Sequence, residues 1–513
     1  MKVGFQNKNI KNGICGDINA DCCLKIMPHE IAEICDGRYV AYHDFKSAET
    51  PVFGICTDSR EAVEGIVFAA LRGERTDGHK YIKNAIEQGC KCFLCEYIPN
   101  DNIPEIYYGC DFIQVTDTVK ALAVLAGYFR EKHGIYTKTV GITGSVGKTT
   151  AKELVSCVLS EHFKTHKTAG NFNSDIGMPL VIMECPDDTE VSVVEMGMGN
   201  MGDISRLSGI AKPDVAIITT IGTSHIEALG SRENICKAKL EITDGLKRGG
   251  TLILNGDEPL LNGYNSTDFR ILRVSCDRNK ACDIIADSIR SYYDHTEFEI
   301  YDRTDSNAPK RLDNLIINLP GKHNVYAALF AYAVASSVFG MSGNEIRTGI
   351  GSFKNTGYRQ NIKEINGVGI VEDCYNASPE SMKASLTTLS EMGKASERRT
   401  VAVLGDMLEL GEYSAECHRT VGKIIAETAP EYIYLFGDEI RFVADGAIKA
   451  GYPKSRIFMF SSDKDGVDEC AKKIAGNTSA GDIILFKASR GMRAERISAA
   501  VCALLEARNR TGV

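Results

Sequence analysis

The sequence contains no apolar run long enough to cross a bilayer. A membrane-spanning helix needs about 20 consecutive apolar residues, so we expect no membrane span. Residues 1–21 carry charges but lack the apolar core and the cleavage site of a signal peptide. Export is therefore not expected, and we predict a cytoplasmic protein.

A surplus of basic charge is absent as well. Acidic residues outnumber basic residues by 68 to 59, which gives a net charge of −9 and a pI near 5.7. Proteins that bind nucleic acids or anionic membranes in general need a basic surface to hold the phosphates. We therefore expect neither nucleic acid nor a membrane surface as a partner.

Cysteine is plentiful, with 18 residues, but its arrangement does not indicate a disulfide framework. The residues are scattered over a long chain without an export signal, which is typical of reduced thiols in a cytosol. The tightest group comprises Cys90, Cys92 and Cys95, and no second group of metal ligands follows at useful spacing. We interpret this stretch as a buried strand, with a metal site as the alternative.

Long low-complexity segments and short-period repeats are also absent. The hydrophobic content of 43% and the charged content of 25% are those of an ordinary globular protein. A length of 513 residues suggests roughly three domains. We predict domains at residues 1–135, 136–352 and 353–513, with residues 1–22 as an extension.

The pattern along the chain predicts an α/β fold with a central parallel sheet, a Rossmann-like C-terminal domain and a smaller N-terminal α/β domain. Short elements of the first domain are expected at residues 66–71, 81–88 and 91–95. In the second domain we predict strands at 139–143, 191–194, 215–220 and 251–254, a hairpin or loop at 292–314 and a helix at 326–339. In the third we predict strands at 369–372, 401–404, 432–436, 457–460 and 483–486.

The strongest motif is Gly-Ile-Thr-Gly-Ser-Val-Gly-Lys-Thr-Thr at residues 141–150, between a strand and a helix predicted at 151–161. Backbone N–H groups of such a loop surround a triphosphate, and the helix dipole favours the anion. We expect Lys148 to reach the β- and γ-phosphates and the Thr149 hydroxyl to bind Mg²⁺. Ile142 stands where the usual pattern has glycine, so the loop is a variant. The other expected nucleotide contacts of the loop are Gly144, Ser145, Val146, Gly147 and Thr150.

Further candidates stand at the carboxyl ends of the predicted strands, where open parallel sheets bind ligands. Glu195 directly follows the strand at 191–194, and with Thr149 it offers the oxygen ligands that Mg²⁺ prefers. For His225, a structural role and the binding of a metal or a phosphate both remain open. A G-x-G-x-x-G match at residues 197–202 lacks the acidic residue expected after the next strand. We therefore expect no dinucleotide there.

Together these motifs resemble the Mur ligases of bacterial peptidoglycan synthesis, over nearly everything after about residue 24. The variant phosphate loop is the form found in that family. Segments 57–60, 68–73, 170–179 and 222–239 also match. In the third domain, the runs at 373–382, 404–411 and 487–491 are similar to the branch of the family that adds D-alanyl-D-alanine.

The resemblance implies a reaction centre supplied with ATP and two Mg²⁺ ions. It places Lys148, Glu195, His225, Lys239 and Arg359 there, with Thr149, Glu195, His225 and Lys239 around the metals. Lys239 is implied to be N-carbamylated, which turns a cation into an anion that helps to hold the second Mg²⁺. The further nucleotide contacts implied by the family are Asn173, His323, Asn324 and Asp373.

The implied activity is an ATP-dependent amide ligation that joins D-alanyl-D-alanine to UDP-N-acetylmuramoyl-tripeptide through an acyl phosphate. The first domain would bind the uridine nucleotide through Asp58, Ser59, Arg60, Leu71, Arg72 and Gly73. Contacts to the dipeptide or to the acceptor peptide would come from Asn376, Ser378, Ser489 and Arg490. We expect a monomer.

Two alternatives to this activity remain open. One is another ligase of the same superfamily, which adds a different amino acid or acts like a folylpolyglutamate synthase. The other is a P-loop nucleotide switch or binding module. Whether the third residue of the peptide is lysine or diaminopimelate is also open.

Overall fold

The structure, a computed structural model, describes residues 24–42, 50–73, 76–99, 104–133, 137–355, 357 and 359–511. The expected extension at residues 1–22 and the expected boundary after residue 135 lie outside these ranges. Three separate sheets of five, nine and six strands lie within the three predicted domains. The α/β fold class is confirmed.

The described residues of the N-terminal domain form a five-stranded sheet and three α-helices. Its strand order is β1-β5-β4-β3-β2, and only β1 is antiparallel to its neighbour. The strands are β1 Arg38–Ala41, β2 Gly54–Cys56, β3 Ile66–Ala69, β4 Cys92–Cys95 and β5 Asp111–Gln114, and the helices are α1 Pro28–Ile34, α2 Ile82–Glu87 and α3 Thr118–His133.

The predicted cysteine-bearing strand is β4, and its side chains are buried. The Cys90 thiol, just before β4, donates to the carbonyl oxygens of Ile66 and Cys92 at 3.3 Å each. Burial raises the pKa of Cys90 and of Cys95 to about 12. Buried thiols of this kind pack as small apolar residues, which agrees with the interpretation of this stretch as a buried strand.

The central domain is a nine-stranded sheet in the order β14-β13-β12-β11-β10-β9-β6-β8-β7. Strands β6 to β12 run parallel, and β12, β13 and β14 form an antiparallel meander that includes the predicted hairpin. The strands are β6 Lys138–Thr143, β7 Thr165–Lys167, β8 Val191–Glu195, β9 Val215–Ile218, β10 Thr251–Asn255, β11 Arg270–Ser275, β12 Ile284–Ser291, β13 Thr296–Asp302 and β14 Lys310–Ile317.

The central helices cover both faces of the parallel strands, which explains why those strands are continuous apolar runs. All residues of β8, β9 and β10 are buried. The helices are α4 Lys148–Leu159, α5 Gly177–Met183, α6 Asp203–Ala211, α7 Ile226–Leu229, α8 Arg232–Leu240, α9 Lys322–Ser337 and α10 Gly343–Ser352.

The C-terminal domain is a six-stranded sheet in the order β15-β16-β20-β17-β18-β19, in which only β15 is antiparallel. The strands are β15 Asn361–Ile365, β16 Val368–Asp373, β17 Arg399–Gly405, β18 Tyr432–Phe436, β19 Ile457–Phe460 and β20 Asp482–Lys487. The helices are α11 Pro379–Ser396, α12 Ser414–Thr428, α13 Arg441–Lys449, α14 Lys464–Asn477 and α15 Glu495–Thr511.

In the central and C-terminal sheets, several candidate residues follow the carboxyl ends of neighbouring parallel strands. In the central sheet β6 lies between β8 and β9, so the loops after these strands meet at a topological switch point, where open sheets bind ligands. The C-terminal domain packs against this end of the central sheet. The Thr223 hydroxyl donates to the Glu380 carboxylate at 3.1 Å, and the Tyr413 hydroxyl donates to the Gly230 carbonyl at 2.9 Å. Within the described residues, no helix is long and apolar enough to span a membrane.

Candidate active site

The phosphate loop joins β6 to α4, and two of its glycines require left-handed backbone. Gly144 has φ +145° and Gly147 has φ +87°. A Cβ atom at Gly144 would overlap the side chain of Thr219, so the loop passes too close to the strand edge for any other residue. Lys148 is the first residue of α4, and its Nζ donates to the Gly144 carbonyl at 2.7 Å. The lysine thus lies over the loop whose backbone N–H groups would surround a phosphate.

Glu195 ends β8 and is almost fully buried, yet both carboxylate oxygens have partners. Oε2 accepts from the Thr149 hydroxyl at 2.9 Å, and Oε1 accepts from Nδ2 of Asn173 at 2.8 Å. The backbone N–H of Glu195 donates to Oγ1 of Thr168 at 2.9 Å, and the buried Nζ of Lys152 lies 4.0 Å from Oε2. The predicted hydroxyl–carboxylate pair therefore exists, and it is a set of hard oxygen ligands of the kind that Mg²⁺ takes.

Lys239 lies on α8 with a side chain that is 1% exposed. Among the described residues its amine has no hydrogen-bond or ion-pair partner. Burial, together with the charge of Lys148, holds the pKa of Lys239 well below its usual range. Such an environment favours the neutral amine, which is the nucleophilic form of the side chain.

His225 is the residue before α7 and adopts a left-handed backbone with φ +65°. Its Nδ1 lies 3.2 Å from the carboxylate of Glu409 in the C-terminal domain. Burial lowers the pKa of His225; Glu409 opposes this shift, whereas Lys148 and Lys239 add to it. His225 therefore belongs to the same electrostatic cluster as the two lysines.

Arg359 approaches the cluster from the segment that enters the C-terminal domain. Its guanidinium lies over the ring of Tyr375, with Cζ 3.9 Å from the ring centroid, which holds the planar cation by a cation–π contact. Close by, Nδ2 of Asn324 donates to the Gln360 side chain at 2.7 Å and to the Pro320 carbonyl at 2.8 Å.

Asp373 ends β16 and forms the C-terminal wall of the site. Its Oδ2 accepts from Nζ of Lys487 at 2.6 Å and from the Ser385 hydroxyl at 2.7 Å. Burial alone would raise the pKa of Asp373, but Lys487, Ser385 and Arg359 outweigh burial and hold that pKa below its usual value. Burial lowers the pKa of the neighbouring His323 to about 4, so its ring is neutral near pH 7.

These groups open onto one cavity of about 690 Å³ between the central and C-terminal domains. This volume lies within the range of small-molecule and cofactor sites. The cavity brings together most of the residues predicted for nucleotide, metal and catalysis. They are Ser145, Val146, Gly147, Lys148, Thr149, Thr150, Asn173, Glu195, His225, Lys239, His323, Asn324, Arg359, Asp373, Asn376 and Ser378.

Other predicted residues do not line this cavity. Arg60 is 87% exposed on the N-terminal domain and pairs with Asp58. On the same domain, Nε of Arg72 lies 3.0 Å from the carboxylate of Glu96, and its guanidinium lies 5.2 Å from the centroid of the Tyr97 ring. Ser59, Leu71 and Gly73 also lie on the N-terminal domain. Gly144 belongs to the phosphate loop, but it is not among the residues that line the cavity.

The two predicted residues of the 487–491 run also lie outside the cavity. The Ser489 hydroxyl accepts from the backbone N–H of Leu408 at 2.9 Å, so it holds the loop after β17. Arg490 is 56% exposed and lies 3.1 Å from Glu495. The structure thus gives both residues contacts within the C-terminal domain.

The cavity lining also contains residues to which the sequence assigned no role, among them Lys487, Tyr375 and Glu380. Lys487 directly follows the predicted strand at 483–486, so the strand-end argument that identified Glu195 could have found it. Tyr375 and Glu380 lie in the 373–382 run that resembles the family. Which residues of this run reach the cavity depends on how the two domains face each other, and the sequence carries no signal for that.

Comparisons with known proteins agree with this geometry. Family models match residues 51–130 (Mur ligase family, catalytic domain), 142–335 (Mur ligase middle domain) and 359–490 (Mur ligase, glutamate ligase domain). The UDP-N-acetylmuramoyl-tripeptide–D-alanyl-D-alanine ligase of Bacillus subtilis (strain 168) is 38% identical over 452 residues, which cover 88% of this chain and 93% of the relative.

Solved structures show the same similarity. MurF from Acinetobacter baumannii is 26% identical and superposes with a TM-score of 0.81, covering 93% of this chain and 99% of that chain. The MurF ligase from Thermotoga maritima in complex with ADP is 29% identical, with a TM-score of 0.74 and coverage of 89% and 98%.

Proposed function

The chain belongs to the Mur ligase family, and we propose that it is the enzyme that joins D-alanyl-D-alanine to UDP-N-acetylmuramoyl-tripeptide at the expense of ATP. One observation carries the proposal most directly. The phosphate loop, Glu195 and Lys239 of the central domain open onto the same cavity as Arg359 and Asp373 of the C-terminal domain. A relative that is 38% identical over most of both chains bears the name of this activity.

ATP is proposed to occupy this cavity, with its triphosphate on the phosphate loop. The loop N–H groups, the start of α4 and Lys148 supply the positive potential that a triphosphate needs. His323, neutral near pH 7, and Asn324 would lie beside the adenine, while Asp373 would face the ribose. The related Thermotoga maritima ligase was solved with ADP, which supports a nucleotide at this site.

Thr149 and Glu195 would hold Mg²⁺, because a hydroxyl and a buried carboxylate already meet there at 2.9 Å and Asn173 keeps the carboxylate oriented. Bound there, the ion would neutralise phosphate charge and align the transfer. His225 and Lys239 are proposed for a second Mg²⁺. In its neutral form the Lys239 amine can add to CO₂ with loss of a proton, and the resulting carbamate is an anion suited to a cation site.

The reaction would run in two steps. In the first step, a carboxylate oxygen of the tripeptide attacks the γ-phosphorus of ATP, and the bond between the γ-phosphorus and the β-phosphate oxygen breaks. The products are an acyl phosphate and ADP. The dipeptide amine then attacks the acyl carbon, loses a proton, and phosphate departs as the amide forms. Two anions must meet in the first step, so Lys148 and Arg359 would lower the barrier by neutralising charge along the line of transfer. Arg359 and the C-terminal wall would also keep water from the acyl phosphate.

The uridine nucleotide is proposed to bind the N-terminal domain, where Asp58, Ser59 and Arg60 lie on an exposed turn and Arg72 packs on Tyr97. Its peptide must then extend into the cavity between the other two domains. The dipeptide would arrive on the C-terminal domain near Asn376 and Ser378, which line the cavity, with Ser489 and Arg490 contributing from the adjacent loop.

The product is the UDP-linked pentapeptide precursor of peptidoglycan. ATP and UDP-linked substrates are nucleotides of the cytoplasm, so we propose that the enzyme acts there, as a monomer. Of the two alternatives, a nucleotide switch would have no use for the dipeptide contacts that are proposed for Asn376 and Ser378. A ligase for single amino acids would share the central domain and differ in its acceptor.

The test is a coupled assay of ADP release with UDP-N-acetylmuramoyl-tripeptide and a panel of dipeptides and single amino acids. We expect release only when the tripeptide and D-alanyl-D-alanine are both present. Lys148→Ala should reduce turnover by about a hundredfold or more, because the transferring phosphoryl group loses its fixed cation. ADP release with single amino acids instead of the dipeptide would assign the chain to another ligase class, and normal turnover of Lys148→Ala would exclude this site.

A further inference from the structure

Lys487 is a buried cation to which the proposed reaction gives no role. It is the last residue of β20 and is only 2% exposed. Its register partner on the neighbouring parallel strand is Asp373, the last residue of β16. Nζ lies 2.6 Å from Oδ2 of Asp373 and 3.2 Å from the carbonyl oxygen of Asn376. Both strands end at the wall of the cavity.

The hydrogen bonds of Asp373 are unevenly shared between its two oxygens. Oδ2 accepts from Lys487 and from Ser385, whereas within the described residues no hydrogen bond reaches Oδ1. The carboxylate is therefore clamped by one oxygen, and the other is left for a ligand in the cavity that Asp373 lines.

We propose that Lys487 is a positioning residue for the nucleotide: it clamps Oδ2 of Asp373 so that Oδ1 faces the ligand, and it fixes the loop at Asn376. The inference rests on the proposed function in that it takes ATP to be the ligand of the cavity. In this proposal Lys487 acts through Asp373 and Asn376 and not on the reacting atoms.

The physical reason for a lysine at this position is the cost of an isolated buried carboxylate. Removing one partner of a buried ion pair leaves the other charge uncompensated, which is far more costly than losing an exposed pair. The other charged groups that face Asp373 are Arg359, from the segment before β15, and His323, from α9. His323 is neutral near pH 7, so Lys487 is the cation in direct contact with the carboxylate.

The second contact of Lys487 extends its effect to the loop between β16 and α11. By donating to the Asn376 carbonyl, Nζ ties this loop to the end of β20. The same loop carries Ser378, whose side chain caps the start of α11 by accepting a hydrogen bond from the backbone N–H of Ser381. One ammonium group therefore fixes the position of both the carboxylate that is proposed to bind the nucleotide and the loop that is proposed to bind the dipeptide.

The chain offers a matched control on the opposite face of the same strand. Glu372 precedes Asp373 on β16, and successive side chains of a strand point to opposite faces. Glu372 forms its own ion pair with Nζ of Lys363 at 2.8 Å, away from the cavity lining. Lys363→Met removes an ion pair from the same strand without touching the proposed site.

The experiment measures ATP binding by titration calorimetry and KM values in the coupled assay for Lys487→Met, Lys363→Met and the unmodified enzyme. We expect Lys487→Met to weaken ATP binding about tenfold or more, with the KM for the UDP-linked substrate little changed, and Lys363→Met to leave both unchanged. In an Asp373→Asn background, Lys487→Met should add little further loss, because the carboxylate that it positions is gone.

The pH dependence separates positioning from a general structural role. In the unmodified enzyme Lys487 helps to hold the pKa of Asp373 low, so Asp373 should add no pH dependence to ATP binding between pH 8 and 6. Without Lys487 the burial of Asp373 is less well compensated and its pKa rises, so the ratio of the dissociation constant of Lys487→Met to that of the unmodified enzyme should increase as the pH falls over this range.

Ser385→Ala keeps the test valid if Lys487→Met does not fold, which the thermal unfolding midpoint would reveal. It removes only the second hydrogen bond to Oδ2 and should weaken ATP binding about threefold, an effect that also disappears in the Asp373→Asn background. Equal ATP affinity of Lys487→Met and the unmodified enzyme, or full additivity with Asp373→Asn, would overturn the inference. An unmodified enzyme that binds no ATP would instead refute the proposed function.

Discussion

Lys239 shows at the scale of one residue how burial can create a reactive group. The fold removes its amine from water and supplies no partner among the described residues, so the neutral form is favoured. A salt-bridged lysine would remain a cation. A neutral amine beside Lys148 and His225 is the form that can react with CO₂, and a carbamate there would reverse the sign of the local charge.

Lys239→Ala should therefore lose most activity, since the anion proposed for the second Mg²⁺ is missing. Short carboxylic acids such as acetate, added at millimolar concentration or above, should restore part of it by entering the space left by the side chain. Turnover at a range of acetate concentrations measures this rescue, with chloride at equal ionic strength as the control. Full activity of Lys239→Ala without added acid would remove the carbamate from the mechanism.

The residue types at strand ends allowed site residues to be predicted from the sequence, but the sequence did not show which side chains they contact. Glu195 could be placed beside Thr149, because the sequence pattern clearly shows the strand before Glu195 and the helix after Thr149. The contact between Asp373 and Lys487 depends on β16 and β20 being neighbours, although 114 residues separate the two side chains. Periodicity carries no information on strand order, so this pair could not be predicted.

The phosphate loop is the element on which the site depends most, and it was the best predicted. Its glycines, the apolar strand β6 and the amphipathic helix α4 all indicate the same strand–loop–helix unit. Such agreement of local signals makes an element predictable from sequence. The three-residue strand β7 and the meander strand β12 were not predicted. They are short or largely polar, and sheet neighbours rather than intrinsic preference hold them in place.

Gly144→Ala should abolish ATP binding with little loss of global fold. Its Cβ would overlap the Thr219 side chain, and φ +145° is a conformation that an L side chain rarely adopts, so the loop must move. Gly209→Ala is the matched control, because Gly209 lies exposed in α6, and a Cβ added there would have no neighbouring atom within 4 Å. That change should stabilise the helix by about 0.5–1 kcal/mol.

Calorimetric titration with ATP, together with thermal unfolding, distinguishes the two glycine variants. We expect binding to be lost only in Gly144→Ala and the unfolding midpoint to rise slightly in Gly209→Ala. Undiminished ATP affinity in Gly144→Ala would show that the nucleotide does not rest on this loop.

At the scale of the whole molecule, the domains divide the work. The central and C-terminal domains share the cavity, whereas the residues proposed for the uridine nucleotide lie on the N-terminal domain, outside the cavity lining. A long substrate can bridge this separation, because its nucleotide and its peptide carboxylate are far apart. Contacts such as Thr223 with Glu380 and His225 with Glu409 hold the central and C-terminal domains together around the cavity.

The central claim is that the tripeptide carboxylate is activated by phosphoryl transfer before the amine attacks. Its most direct test uses tripeptide substrate labelled with ¹⁸O in the terminal carboxylate and follows the label by mass spectrometry of the released phosphate. The acyl phosphate route predicts one ¹⁸O atom in each phosphate released, and release only when D-alanyl-D-alanine is present. Unlabelled phosphate, or equal release without the dipeptide, would contradict the account.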